Sequence, residues 1–278
     1  MPARKTTPFQ IANEIRRVLK TGGSSEHAEG VQWYFKDEIK SHGWYTAALR
    51  KAARQFQRSI ARERGIDFVV QIADKLFSGR ILEEKVFAVF LLEKQTKDFG
   101  DDKFQLLASW LDRVSSWADH DSLVHDVLAP MLVNDPARAR AVFQWAKSPN
   151  RWRRRAACVA LIRGTRERLF FAQIVRLSNQ LLRSNDEDDM VQKGLGWLLR
   201  ETAKADPGRT ITYLMKIRGK APRLVLRTAC ETLPLATRKK ILQGYAGSSR
   251  LIRPILTALH LRETFPLQAP PCTRTPPL

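Results

Sequence analysis

From Thr7-Pro8 onward the chain reads as one amphipathic helical pattern after another, and no stretch alternates apolar and polar residues as a half-buried strand would. Phe9, Ile11, Ala12, Ile15, Val18 and Leu19 keep helical spacing behind Pro8 and stop at Gly22-Gly23. Residues 24–30 read as a loop or a capped start. Further helices are predicted over 31–39, 44–59, 67–77, 81–94, 103–113, 117–133, 136–147, 151–163, 167–184, 188–205, 207–217, 222–233 and 236–244. The breaks between them are short and carry helix-stopping residues, as at Phe99-Gly100-Asp101, Asn134-Asp135-Pro136 and Ser148-Pro149-Asn150.

Helices of this length, paired at a spacing of roughly 35 to 40 residues, point to stacked helical hairpins of HEAT type. The expected fold is therefore all-α, an α-solenoid of tandem HEAT-like repeats forming a concave basic groove. An irregular helical bundle is the alternative, because no letter-by-letter repeat is visible. One repeat domain is expected over residues 1–263. Residues 264–278 contain Pro266, Pro270, Pro271, Pro276 and Pro277 and read as a disordered tail.

Charge narrows the partner. Lys plus Arg number 48 against 28 Asp plus Glu, a formal net charge of +20, which predicts attraction to a polyanion such as nucleic acid. Cations lie beside aromatics in Trp33-Tyr34-Phe35-Lys36 and Arg151-Trp152-Arg153-Arg154-Arg155, making Tyr34, Lys36, Arg151 and Arg154 candidate DNA contacts. No window approaches the roughly 18 to 20 apolar residues of a membrane helix, and the N-terminus lacks an apolar leader core, so a cytoplasmic, nucleoid-associated monomer is expected. Cys158, Cys230 and Cys272 are an odd, scattered set and read as small buried hydrophobes.

Two stretches carry chemistry. Positions 117, 121, 124 and 128 share a helical stripe reading Trp, Asp, Val, Leu, which places the Asp121 carboxylate on an otherwise apolar, inward face. A helix-capping role is the plain explanation; a task on the ligand is the other, because an acid facing a polyanion is repelled by it. Within 188–204, Val191, Leu195 and Leu198 form the core stripe, while Lys193, Trp197, Arg200 and Lys204 form a basic one. Trp197 is thus placed to press on a nucleic-acid strand. Arg155 borders the apolar face, where its stem can pack while its guanidinium reaches a phosphate or a carboxylate. The acid run Asp186-Glu187-Asp188-Asp189 reads as capping charge.

Ser116-Trp117, Asp121, the segment Asn150 to Ala157 and the segment Val191 to Lys204 together resemble the AlkD-like HEAT-repeat DNA alkylation-repair glycosylases, in order and at similar spacing, across roughly residues 10–245. The resemblance implies that Asp121 is the catalytic carboxylate, that Trp117 and Trp197 hold the lesion-bearing backbone, and that Arg155 takes the family arginine's position in the same cleft. Tyr34 and Arg200 match positions lining the DNA groove. His120 before the aspartate and the very basic arginine segment are departures.

The chemistry fits one carboxylate. Breaking an N-glycosidic bond builds oxocarbenium charge on the sugar, which a fixed carboxylate stabilises. A purine alkylated at N3 or N7 leaves as an already cationic base, so no separate acid is required. The expected substrate is duplex DNA carrying 3-methyladenine or 7-methylguanine. A solenoid offers no obvious pocket for an extruded base, and the resemblance suggests a grip on the backbone instead, with weak discrimination by alkyl size. No cofactor is called for, and no zinc: His120 and His125 lie off a common face and no Cys pair has ligand spacing. A non-catalytic HEAT-repeat binder of damaged or branched DNA, and a protein-interaction scaffold, are the competing functions.

Overall fold

The computed structural model describes residues 6–243, and among them every regular element is helical. The expected tail at 264–278, the domain boundary at 263 and Cys272 lie outside these residues. Ten helices cover the first two-thirds: α1 (Pro8–Thr21), α2 (Ser25–Gln32), α3 (Thr46–Arg64), α4 (Ile66–Phe77), α5 (Leu82–Leu92), α6 (Asp101–Ser109), α7 (Trp117–Leu123), α8 (Ala129–Asn134), α9 (Ala141–Trp145) and α10 (Arg151–Thr165). They are followed by α11 (Phe171–Ser184), α12 (Asp189–Ala205), α13 (Pro207–Ile217), α14 (Arg223–Ala229) and α15 (Leu235–Gln243).

The packing is that of a helical-repeat solenoid. One row runs α5, α7, α10, α12, α14, each helix touching the next. Their first residues recur at a step of about 35, because each repeat must send the chain out along a second helix and back before the next inner helix can stack. The core is continuous along this row, from Phe87 and Leu91 through Leu123 and Val159 to Leu198 and Val225, all essentially inaccessible. Cys158 and Cys230 belong to it as free, buried thiols. Burial pushes the Cys158 thiol up to about 12 and the Cys230 thiol up to about 11, so neither is a nucleophile at neutral pH.

Two local expectations are corrected. Helix was predicted over 31–39 after a loop or a capped start over 24–30; the structure has the capped start and ends the helix at Gln32. Ser24 caps α2 by accepting from His27 N, and the helix stops at Gln32 because the Gln32 side chain serves the backbone beyond it. Its amide donates to the carbonyl of Asp37, and its oxygen accepts from Ile39 N at 2.9 Å. The aromatic run after it is thereby released from helical geometry. Phe35 then stacks on Trp117, ring centroids 5.0 Å apart.

The second correction concerns 117–133, predicted as one helix. A five-residue π-helical turn at Val124–Leu128 separates α7 from α8 and shifts the register. Val124 and Leu128 are fully buried. Asp121 does not share their inward face: with Ser122, His125 and Asp126 it lines an open cleft.

Candidate active site

The start of α7 decides what Asp121 is free to do. Ser116 is the N-cap, and its partner in a capping box is Asp119, whose carboxylate accepts from Ser116 N at 2.7 Å. Asp119 is fully buried, accepts from Ser115 N at 2.9 Å and pairs with the buried Lys85 at 3.1 Å. The helix-capping role considered for Asp121 therefore belongs to Asp119. Asp121 stands in the second turn, its side chain 20% exposed.

Arg155 and His120 hold it. Arg155 grips both carboxylate oxygens, Nε to Oδ1 at 2.9 Å and Nη2 to Oδ2 at 2.7 Å, while its Nη1 donates to the Met190 carbonyl at 2.8 Å. This fork joins α7, α10 and α12. It needs room, and Gly194 provides it: a Cβ there would lie 3.3 Å from Arg155 Cγ. His120, fully buried, sets its Nδ1 2.5 Å from Asp121 Oδ1 and its Nε2 3.0 Å from the Trp152 carbonyl. The ring is thus fixed between α7 and the Trp152 carbonyl of α10. In the sequence His120 stands out as a departure from the family pattern and, with His125, as a pair off any common metal-binding face. Adjacency to Asp121 was visible, but the carbonyl that fixes the ring comes from α10, thirty-odd residues away in the chain.

Burial pushes the Asp121 carboxyl up; the hydrogen bonds from His120 and Arg155, with their charge, outweigh it and hold the carboxyl below its ordinary 3.8. A carboxyl depressed by folding contributes stability that is complete above the unfolded value and lost as pH falls through the folded one. The melting temperature of the wild type should thus exceed that of Asp121→Asn by a constant margin near neutrality, and the margin should close below about pH 4. Thermal melts of both proteins across an acid series check this; a margin that widens on acidification contradicts it.

The carboxylate opens onto a cleft of about 590 Å³. Trp117 and Asp121 come from α7, Trp197 from α12, Tyr34 and Phe35 from the turn after α2, and Leu49, Val86 and Phe90 from α3 and α5. Trp44 joins them from the loop ahead of α3. That loop is held by the buried Glu83, whose carboxylate accepts from Ser41 Oγ at 2.6 Å, His42 N at 2.8 Å and Gly43 N at 2.9 Å. Gly43 has φ +77° and passes against the Ser24 carbonyl, a conformation and a proximity that exclude a side chain. The stacked helices thus carry an open cleft at Asp121. The turn after α2 supplies one of its walls.

The remaining candidates divide. Tyr34 is exposed at the cleft, and Lys36, its side chain 85% exposed, lies 3.9 Å from the Asp189 carboxylate. Val191, Leu195 and Leu198 are core residues, and Lys193, Trp197, Arg200 and Lys204 lie off that face. All three cations among them have acidic partners on the protein itself: Lys193 with Asp189 at 3.0 Å, Arg200 with Glu231 at 2.5 Å, Lys204 with Glu201 at 2.8 Å. Trp197 is not a cation, and it lines the cleft beside them.

The arginine segment is engaged internally as well. Arg151 pairs with Asp188 at 2.9 Å and Asp189 at 3.2 Å, and Arg154 donates to Asp186 at 2.6 Å and to the carbonyls of Ser148 and Pro149. Asp188 also caps α12 through Met190 N and Val191 N. The acid run is thus a cap, as expected, and in addition an inter-repeat clasp for the arginines. Arg154→Ala should cost about 2 kcal/mol of stability, the order of a lost charged hydrogen bond. The slope of duplex affinity against salt should stay as in the wild type, since that slope counts only cations that meet phosphate. Denaturant melts and binding at three salt concentrations test both.

Among the described residues no group of three or more His, Cys, Asp or Glu side chains is arranged to hold a metal ion, and no helix is long and apolar enough to cross a membrane.

Stacked helical repeats with a clamped carboxylate at an aromatic cleft define the class: a helical-repeat protein with a cleft along one row of its helices. The family model for the DNA alkylation repair enzyme matches residues 15–233, and the chain belongs to that family. DNA is accordingly its partner, and repair of alkylation damage its field of action. A comparison with curated proteins gave no match.

Proposed function

We propose that the protein is a DNA glycosylase that hydrolyses the N-glycosidic bond of cationic N3- or N7-alkylated purines in duplex DNA, the first step of base excision repair. The observation that carries this reading is the Asp121 carboxylate, kept ionised by Arg155 and His120 at the edge of a cleft walled by Trp117 and Trp197. As the bond to the departing base lengthens, positive charge grows on the deoxyribose. A carboxylate already oriented needs no reorganisation to meet that charge, so its attraction is felt more in the transition state than in the ground state. It also offers an acceptor to the attacking water. Arg155 and His120 act as positioning groups, and Trp117 and Trp197 present faces that attract a cationic sugar or base.

The protein works in this reading as a cytoplasmic, nucleoid-associated monomer, with Tyr34, Lys36, Lys193, Arg200 and Lys204 steering the duplex and no cofactor. Release of free 3-methyladenine and 7-methylguanine from methylated duplex DNA is the decisive measurement. Duplex binding without base release would replace the glycosylase with a non-catalytic binder of damaged DNA.

A further inference from the structure

We propose that Arg163, Arg166 and Arg227 hold the phosphate backbone of the duplex, as cations on the helix row that no acid of the protein neutralises; this rests on DNA as the partner and not on base release. Their placement follows from register. Between α10 and α12 the contacts advance together: Arg151 reaches Asp188, Arg155 reaches the Met190 carbonyl, and Cys158 lies against Gly194. Between α12 and α14 they do the same, with Gly196 against Val225 and Thr228 and Arg200 against Glu231. The three helices therefore run parallel, and the last turn of α10 comes beside the last turn of α12. Arg166 follows Arg155 by three helical turns and returns to its stripe, roughly 16 Å further along, with Arg163 one turn before it. Arg227 stands one turn before Glu231 on the exposed stripe of α14.

Charge decides which cations are available. The four arginines at the start of α10 all hold carboxylates, and so do the three cations of α12. A cation already paired with a carboxylate has little charge left for a phosphate and releases few counterions on meeting one. Arg163, Arg166 and Arg227 are exposed, and among the described residues no carboxylate, carbonyl or ring engages their guanidinium groups. The chain beyond Arg166 is a built turn. Arg168 has φ +55° and Phe170 φ +67°, left-handed conformations costly for residues other than glycine. Leu169 N donates to the Gly164 carbonyl at 2.9 Å, and the buried Phe170 pins the turn, so the end of α10 is fixed with Arg166 facing outward. Arg163 and Arg227 also stand in the last turn of their helices, where the dipole favours positive charge. That role is structural and would leave the salt dependence of DNA binding unchanged.

The test compares two triple variants of the full chain. One carries Arg163→Gln, Arg166→Gln and Arg227→Gln; the other carries Arg140→Gln, Arg183→Gln and Lys216→Gln, which removes the same charge from exposed positions on the elements between the row helices. Affinity for an undamaged duplex is measured across a salt series, with melting temperatures to establish folding. The first triple should reduce the slope of log affinity against log salt by about 2–3, close to 0.9 for each lost phosphate contact, and bind at least about tenfold more weakly at about 0.1 M salt. The second should keep the wild-type slope. Equal changes in both would assign the effect to net charge, and an unchanged slope in the first would assign these arginines to the helix ends; either result overturns the proposal. If the first triple does not fold, the single variants decide, each expected to lower the slope by about 0.9. Because the duplex is undamaged, a protein that grips it through these arginines yet releases no alkylated base would overturn the glycosylase reading alone.

Discussion

Asp121→Asn should lower single-turnover release of 7-methylguanine from duplex DNA by roughly 10²–10³-fold, the size of the effect when one preorganised electrostatic group is removed from an active site. Asparagine keeps the shape and loses the charge, so what disappears is the attraction to the oxocarbenium-like sugar. Affinity for the duplex should stay equal or rise slightly, because a negative group facing a polyanion has gone. The structure adds a cost the sequence did not foretell. Arg155 is only 6% exposed and His120 fully buried, so without the carboxylate two inward donors face an amide that returns only part of what they need. Breaking a buried charged pair in this way costs about 3 kcal/mol or more. Excision must therefore be compared well below the variant's melting temperature, with circular dichroism establishing that it is folded. Normal excision by a folded Asp121→Asn would remove this residue from the chemistry. A variant that neither folds nor binds would leave Arg155→Met with Asp121→Leu, an uncharged replacement of the pair, to show whether the fold needs the charges at all.

The second large effect concerns the leaving group. 3-Methyladenine and 7-methylguanine should be released from matched duplexes, whereas hypoxanthine and uracil should be released at least about a hundredfold more slowly. A cationic purine departs as a neutral molecule; a neutral base departs as an anion unless an acid protonates it. Asp121 cannot supply that proton, because Arg155 and His120 hold its carboxyl below the ordinary range and keep it ionised at neutral pH, against the opposing push of burial. The aromatic faces of Trp117 and Trp197 act in the same direction, favouring the lesion that brings its own charge. Comparable rates for hypoxanthine and 7-methylguanine would show that another group in the cleft, His125 foremost because it lies beside Asp126, donates a proton. Varying the alkyl group from methyl to larger substituents on the same duplex would then measure how much of the cleft's volume a lesion can use.

Much of this architecture was legible from residue order alone. Helical periodicity and short Gly, Pro and Asn breaks are local properties, decided within a turn or two of chain, and they predicted nearly every helix and the roughly 35-residue step that stacks them. Local rules also placed Val191, Leu195 and Leu198 in the core and Trp197 off it. They failed at 33–39, where one long-range contact, Phe35 on Trp117, together with the Gln32 side chain, overrides a helical pattern. They failed again at Val124–Leu128, where a π-helical turn moves Asp121 from the core face to a cleft, because inserting one residue into a helix leaves no mark in its composition.

What tertiary structure alone decided is who partners whom. A sequence shows that Arg151, Arg154 and Arg155 are cations on one helix. It does not show that the first two are spent on Asp188, Asp189 and Asp186 while the third reaches Asp121. The order of residues thus determined a basic, all-helical repeat protein carrying an aspartate between two tryptophans. The stacking of the repeats decided that this aspartate is clamped, ionised and set at an aromatic cleft, because electrostatic partnership depends on distance through space, and helices one repeat apart bring together groups that the chain separates by more than thirty residues.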